Sequence, residues 1–376
     1  MQKEFSGNAG GQVKILVPNL GSTSLKYQVL GMPDEQVLAR GRMERVSNYG
    51  EAVRQLHAEA AGVDAVAFKA VHAGPRYRGT FLIDAGVIAA MEQFLDAAPV
   101  HNASYLEAIR AFQAEWPEVP LVAAFETEFH RTMPPQARMY GVPREWRTED
   151  GIERYGFHGA SHEFISGRAQ EFLNRGPEDF RLISCHLGGS SSICAIRDGC
   201  SVDTTMGFSP QSGLENATRH GDLDVFAVLS MMDRHHWDTV EVRRQLARES
   251  GLAGLSGVKG GDVRDIEAAE QAGSDDARLA LDVFTYEVRK TFGAYAAAMA
   301  GVDAIVFTGG IGENSTRTRT LCCEGLEFLG VELDAERNEH GKGDRIISPD
   351  GAKVHVLVLA TNEEVVVARR AMRVLG

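Results

Sequence analysis

Residues 181–224 read RLISCHLGGSSSICAIRDGCSVDTTMGFSPQSGLENATRHGDLD and concentrate the groups best suited to holding anions. An apolar pair at 182–183 leads into Leu187-Gly188-Gly189-Ser190-Ser191-Ser192. A second apolar run covers 193–196, and Asp198-Gly199 makes the next tight turn. The pattern is strand, glycine/serine turn, strand. Such a turn brings several backbone N–H groups and small hydroxyls to one point, which is what phosphate oxygens require. Asp203-Thr204-Thr205, Pro210 and Thr218-Arg219-His220-Gly221-Asp222 follow. So dense a run of small polar residues around one arginine points to phosphate chemistry.

The N-terminal end repeats the design. In VKILVPNLGSTSLKYQVL, residues 13–30, Asn19-Leu20-Gly21-Ser22-Thr23-Ser24 lies between two apolar strands, as His186-Leu187-Gly188-Gly189-Ser190-Ser191 does later. The two copies start about half a chain apart, which reads as an internal duplication with two similar domains, each offering a phosphate turn. The alternative is two ordinary hairpin turns, and their likeness and spacing weigh against it.

A chain of 376 residues implies two domains, and 44% apolar with 24% charged residues fits a soluble globular protein. The net charge of −13 argues against nucleic acid or an anionic membrane as the main partner. No apolar run has transmembrane length. The opening MQKEFSGNAGGQ lacks an apolar core, so no signal peptide is expected, and residues 1–12 read as a flexible leader. The cysteines are Cys185, Cys194, Cys200, Cys322 and Cys323. An odd number without a C-x-x-C pair predicts reduced thiols in the cytoplasm, and no zinc site is expected.

The elements that must position these residues follow in order. Helical spacing covers 50–62 and a strand covers 63–71, ending in KAVHAGPRYRG. Lys69, Arg76 and Arg78 beside two glycines suggest an anion site, or else a solvated basic loop. Helices are expected at 84–97 and 102–115, with APVHN between them. A strand at 119–125 runs into Glu126-Thr127-Glu128, acids at a strand's C-terminal end where α/β folds place chemistry; the alternative is a helix N-cap cluster. Residues 131–160, rich in Pro, Arg and Gly, mark the crossing into the second domain. RYGFHGASH at 154–162 opens a helix with Ser161 as its N-cap. His158 and His162 suit zinc only if a helix runs through both, and hydrogen-bonding roles are preferred. Helices follow at 225–233 and 239–249, then a glycine-rich loop at 254–265 and a long amphipathic helix at 276–300. A strand at 304–307 runs into TGGIGENS at 308–315, a strand–glycine turn–helix cradle for a nucleotide, without the lysine of a Walker A loop. After a strand at 354–359, Thr361 and Glu364 have capping-box spacing, which leaves Glu363 for Mg²⁺ or its waters.

These segments resemble the acetate kinase family, within the superfamily of acetate and sugar kinases and actin, over about residues 13–370. The resemblance is carried by N-x-G-S-x-S-x-K at 19–26, V-H-x-G at 71–74, P-x-H-N at 99–102, F-x-T-x-F-H at 125–130 and R-Y-G-F-H-G-x-S-H at 154–162. It continues through H-L-G at 186–188, D-T-x-M-G-F-x-P at 203–210, T-R-x-G-D at 218–222, G-G-I-G-E-N-S at 309–315 and T-N-E-E at 361–364. It implies an α/β fold of duplicated ribonuclease-H-like (actin-like ATPase) domains, mixed sheets flanked by helices, with an interdomain cleft that closes on the nucleotide. The expected domains are 13–145 and 146–360, with 361–376 returning to the first.

The implied activity is reversible, Mg²⁺-dependent transfer of the γ-phosphoryl of ATP to a short-chain carboxylate, acetate or a homologue such as propionate, giving acyl phosphate and ADP. Mn²⁺ is a substitute metal, and a cytoplasmic homodimer is implied. A carboxylate acceptor is already ionised at pH 7 and needs no general base, so catalysis is positioning and charge neutralisation. The resemblance makes Arg219, His158, Lys69 and Glu126 catalytic, with Arg219 on the moving phosphoryl and His158 hydrogen-bonding its oxygens. Asn19 and Glu363 organise the metal. Lys69, Val71, Val100, Phe157 and Pro210 receive the acyl group. Lys26, His186, Gly188, Gly189, Ser190, Asp262, Arg264, Gly310, Ile311, Gly312 and Asn314 hold the nucleotide.

The chain departs from the family pattern in several places. Lys69 stands where arginine is usual and cannot make the bidentate fork, for which Arg76 or Arg78 would have to compensate. Glu126 replaces aspartate, and Gly189-Ser190 replaces asparagine-glycine. Gln211-Ser212 replaces leucine-glutamate, Asn216-Ala217 replaces methionine-glycine, Val100 replaces leucine, and one residue is inserted within 256–262. Two other readings stay open: a kinase of a larger carboxylate or a hydroxyl, with Glu126 as general base, and a nucleotide-binding regulator with weak turnover.

Overall fold

A computed structural model describes residues 11–20, 24–46, 48–60, 62–95 and 99–376. The leader through residue 10, the turn 21–23 and the side chain of Val100 lie outside the described residues. The chain forms two compact units, one of residues up to 131 with 159–161 and 362–376, the other of 132–158 and 162–361.

In the first unit, β1 (Val13–Leu20), β2 (Ser24–Met32), β3 (Gln36–Glu44), β4 (Ala65–Ala70), β5 (Thr80–Leu82) and β6 (Leu121–Phe125) form one sheet in the order β3-β2-β1-β4-β6-β5. β1, β2 and β3 are an antiparallel meander, β4 runs parallel to β1, β6 parallel to β4, and β5 antiparallel to β6. In the second unit, β7 (Arg181–His186), β8 (Ser192–Arg197), β9 (Cys200–Thr204), β10 (Ala304–Thr308), β11 (Arg345–Ile346) and β12 (His355–Val358) order as β11-β12-β10-β7-β8-β9. Read from the β9 end, the directions again run antiparallel, antiparallel, parallel, parallel, antiparallel. Strand for strand the two sheets are the same, which is the duplication read from the two turns.

The central strands are apolar on both faces because helices cover both sides: β6 and β10 are buried at every residue. In the first unit the helix Glu363–Leu375 packs Val365, Val367, Ala368 and Ala371 onto Ile15, Val17, Ala67 and Val122. In the second, the long helix Asp275–Ala298 lays Leu281, Phe284, Val288 and Phe292 against Ile183, Ile193 and Phe307.

Local expectations need correction in four places. The crossing is not at 145/146: residues 132–158 belong to the second unit, held by Thr132 Oγ1 on the Ser201 carbonyl (2.8 Å) and Arg154 on the carbonyls of Thr204 and Thr205 (3.0 and 2.9 Å). Ser161 is not a cap. The helix Gly159–Phe172 starts three residues earlier than that cap implies, with His158 as N-cap in the left-handed region (φ 55°), so no helix runs through both histidines. Gly159 donates its N–H to the Glu126 carbonyl at 3.1 Å, an approach that a Cβ there would block. The expected loop at 254–265 is partly helical: Gly251–Ser256 is a helix, and Asp262 caps the next, Val263–Gln271, by accepting from Arg264 N. Finally, the helix Glu363–Leu375 is capped by Asn362, whose side chain accepts from Val365 N at 3.2 Å, and not by a Thr361–Glu364 box.

Candidate active site

In the first unit, Lys69 and Glu126 stand at the C-terminal ends of the parallel neighbours β4 and β6, where Glu126 N donates to the Ala70 carbonyl at 2.8 Å. Lys69 Nζ lies 2.5 Å from Glu363 Oε2 and 3.7 Å from Glu126 Oε1. Burial pulls the Lys69 pKa down, but the Glu363 and Glu126 carboxylates more than offset this and hold it above the ordinary lysine value. Asn19, near the end of β1, donates from Nδ2 to Glu364 Oε1 at 3.4 Å. Arg370, 1% exposed, donates to the Phe125 carbonyl (3.1 Å) and lies 3.5 Å from Glu128, so the helix carrying Glu363 is tied to the strand end carrying Glu126. Burial pushes the Tyr105 hydroxyl up to about 12, countered in part by Lys69.

The loops behind this group are also tied together. Asn102 is fully buried and donates to the carbonyls of His72 (2.9 Å) and Met91 (3.2 Å), joining two of the sequence motifs. Arg78 donates to the His130 carbonyl (3.4 Å) and Arg76 lies over the Tyr77 ring. Val71 is buried, and Lys26 is exposed on β2 opposite Asn19.

The second unit contains a cavity of about 550 Å³. Gly188, Gly189, Asp262, Arg264, Gly310, Ile311 and Asn314 line it, together with Val263, Glu267 and Ser315. Its floor is tied through Leu187, whose carbonyl accepts from Ile311 N (2.8 Å) and Gly312 N (3.1 Å) while its N–H donates to Thr308 O (2.9 Å). Gly309 has φ +80°, and a Cβ there would meet the Leu187 carbonyl at 2.7 Å. Asp262 accepts from Arg264 Nη2 at 2.6 Å, which lowers its pKa to about 2. Of the expected nucleotide residues, Gly312 packs beneath the cavity against Phe307, and Ser190 and His186 are not part of its lining.

His186 stacks on His158 with ring centroids 4.4 Å apart. Arg219 donates from Nη1 to the Pro210 carbonyl at 2.9 Å, and among the described residues no carboxylate pairs with it. Burial lowers its pKa to about 10, which still leaves it charged at neutral pH. Phe157 is buried, as is Pro210.

Three contributors were not found by sequence reasoning. Asn216 Oδ1 accepts from Ser191 N at 2.6 Å while Ala217 N donates to Gly189 O at 3.0 Å, so the unusual Asn216-Ala217 pair braces the unusual Gly189-Ser190 turn. Arg319, 1% exposed, donates to the carbonyls of Gly312 (2.9 Å) and Glu313 (3.0 Å) and to Asn338 Oδ1 (2.7 Å), clamping the turn that carries Gly310 and Asn314. Glu267 accepts from Ser315 Oγ at 2.6 Å at the cavity wall. The paired departures at 189–190 and 216–217 were the one available signal, and it lay in two separate motifs.

The chain matches the model of the acetokinase family over residues 50–369. It is 43% identical to an acetate kinase of Caldanaerobacter subterraneus over 95% of this chain and 98% of that one. It is 40% identical to an acetate kinase of Carboxydothermus hydrogenoformans over 96% and 99%. Among solved structures, Porphyromonas gingivalis acetate kinase superposes with TM-score 0.88 at 34% identity, covering 97% of this chain and all of that one. A propionate kinase from Francisella tularensis does so with TM-score 0.88 at 30% identity, covering 96% and 100%. With this likeness along nearly its whole length, and the same doubled ribonuclease-H-like fold, the chain belongs to the acetokinase family.

Proposed function

We propose that this protein transfers the γ-phosphoryl group of ATP to a short-chain carboxylate, acetate or propionate, reversibly forming acyl phosphate and ADP. The observation that carries the reading is Arg219: a partly buried guanidinium, charged and among the described residues bonded to a single carbonyl, waits for an anion. In phosphoryl transfer such a group neutralises the charge on the moving phosphoryl. The nucleotide takes the cavity of Gly188, Gly189, Gly310, Ile311 and Asn314, with Asp262 and Arg264 at its wall and His186 and Ser190 near its phosphates. Lys26, exposed on β2, offers a cation to a phosphate, and Gly312 shapes the turn of the cavity. His158 donates to a phosphoryl oxygen. Buried Val71 in the first unit, and Phe157 and Pro210 in the second, are the apolar residues proposed for the acyl tail.

The carboxylate acceptor needs no base. Glu126 is engaged with Lys69, which suits an electrostatic role and disfavours a hydroxyl acceptor that would require proton removal.

Among the described residues no three His, Cys, Asp or Glu side chains gather as a self-contained metal site. Mg²⁺ does not require one, being held through one or two carboxylates, waters and substrate phosphates. The oxygen donors of Asn19, Glu363 and Glu364, in a cluster with more carboxylates than cations, fit that ion, and Mn²⁺ by the same chemistry. Glu363 and Asn19 would hold the metal or its waters, and the bound ion would neutralise phosphate charge.

We also propose a homodimer. Val225 (66% exposed), Phe226 (75%) and Leu229 (45%) leave an apolar face on the helix Val225–His235 that a second copy would cover. Among the described residues the five cysteines form no disulfide, which with ATP as donor supports a cytoplasmic location.

The test is hydroxylamine trapping with Mg-ATP and acetate, propionate, butyrate or bulkier acids in parallel. A hydroxamate product with acetate or propionate is expected. Nucleotide binding without hydroxamate from any acid would overturn the reading.

A further inference from the structure

His158 lies at one end of a row of hydrogen bonds that runs into the core of the second unit. Its Nδ1 is 2.9 Å from Ser192 Oγ, Ser192 Oγ is 2.8 Å from His162 Nε2, and His162 Nδ1 is 2.9 Å from Ser184 Oγ. Ser192, His162 and Ser184 are all fully buried. The backbone sets the spacing, because His158 caps the helix and His162 N donates to its carbonyl at 3.0 Å.

Each hydroxyl has one proton to give, and each neutral imidazole has one N–H and one bare nitrogen. The row therefore has only two consistent directions, and Ser184 chooses between them. Among the described residues its hydroxyl has a single partner, His162 Nδ1. If Ser184 accepted there, its own O–H would be left unsatisfied in the core, at a cost of roughly 1–3 kcal/mol. Ser184 therefore donates to His162 Nδ1, His162 Nε2–H donates to Ser192, and Ser192 O–H donates to His158 Nδ1. The proton of His158 is then on Nε2.

We propose that Ser184, His162 and Ser192 are positioning residues that hold His158 as the Nε2–H tautomer, so that its outer nitrogen donates to a phosphoryl oxygen without carrying charge. The inference rests on the phosphoryl-transfer reading above for its purpose, but not for its geometry. An anion requires a donor, and the opposite direction of the row would present a lone pair to it.

The experiment uses the full-length protein with ¹⁵N-labelled histidine at pH 8, the His158 signals being assigned by their loss in His158→Asn. Wild type is expected to show a single Nε2–H tautomer at His158. Ser184→Ala, which removes a hydroxyl three hydrogen bonds from His158, is expected to give a mixed tautomer and a kcat lower by roughly two- to tenfold. Ser192→Ala, which cuts the link, is expected to lower kcat by about a hundredfold. Both variants should keep the wild-type ADP affinity, which a merely structural defect would not. An Nδ1–H tautomer in wild type, or an unchanged tautomer and kcat in Ser184→Ala, would overturn the proposal. The spectrum is read whether or not turnover is found, so absence of hydroxamate in wild type would strike the function and leave the tautomer result to judge the relay.

Discussion

Lys69 and Glu363, 294 residues apart in the chain, meet with Nζ and Oε2 2.5 Å apart. The pair ties the C-terminal helix to the end of β4 and places one positive charge among carboxylates. Removing one member of a largely buried pair strands the other. Lys69→Met is expected to destabilise the protein by about 3 kcal/mol, with a favourable coupling to Glu363→Gln in a double-mutant cycle. Additive effects in denaturant unfolding would rule this out. The lysine pKa is raised on folding. Its stabilisation is therefore fully present below the unfolded lysine value, about 10.4, and is lost only as pH climbs through the still higher folded value.

Arg219 has no carboxylate partner to lose among the described residues, so its removal should leave the fold intact. Arg219→Ala is expected to lower kcat by about 10³-fold or more while ATP affinity changes little. Arg219→Lys should recover only a small part, lacking the planar fork. Steady-state kinetics beside calorimetric titration with nucleotide separates the two effects.

Asn216 supplies the acceptor for Ser191 N, and Ser191 is fully buried. Asn216→Met leaves that N–H without a partner. A loss of about 1–3 kcal/mol is expected, with a raised KM for ATP and an unchanged KM for the carboxylate. A variant as stable as wild type would show that the glycine turn does not depend on this brace.

Glu215 lines a second cavity, of about 330 Å³, with Arg154, Asp203, Asp222, Glu287 and Lys290. Burial raises its pKa to about 7, and Glu287 and Asp222 add to the rise. The folded state therefore holds a proton that the unfolded state has released between about pH 4.3 and 7. Stability contributed at this site falls as pH rises through that window and levels off above it. Glu215→Gln should flatten this part of the Tm–pH curve and raise Tm at pH 8; an unchanged slope would exclude Glu215 as its source.

Much of the fold and part of the site could be read from contiguous residues. Alternating and continuous apolar runs located β1, β4, β6, β7, β8 and β10, and two similar glycine/serine turns announced two similar sheets, because strand and turn preferences act over a few neighbours. The cavity residues Gly188, Gly310 and Asn314 were found for the same reason, each within a short motif whose backbone makes the wall.

Partnerships across the chain needed the tertiary structure. Ser161 and Thr361 looked like helix caps, yet the caps are His158 and Asn362. The His158 cap has no side-chain hydrogen bond; it is set by its left-handed backbone and by the Glu126 carbonyl that accepts from Gly159 N. Residue type and spacing determined the family, the duplicated sheets and the glycine turns that line the cavity of the second unit. Packing alone decided that Lys69 would be held by Glu363, that Asn216 would brace the Gly189 turn, that Arg319 would clamp Gly312, and that Ser184 would direct the proton of His158. Each of these is a hydrogen bond or ion pair between distant segments. Its strength depends on distance and burial, which a linear order of residues does not contain.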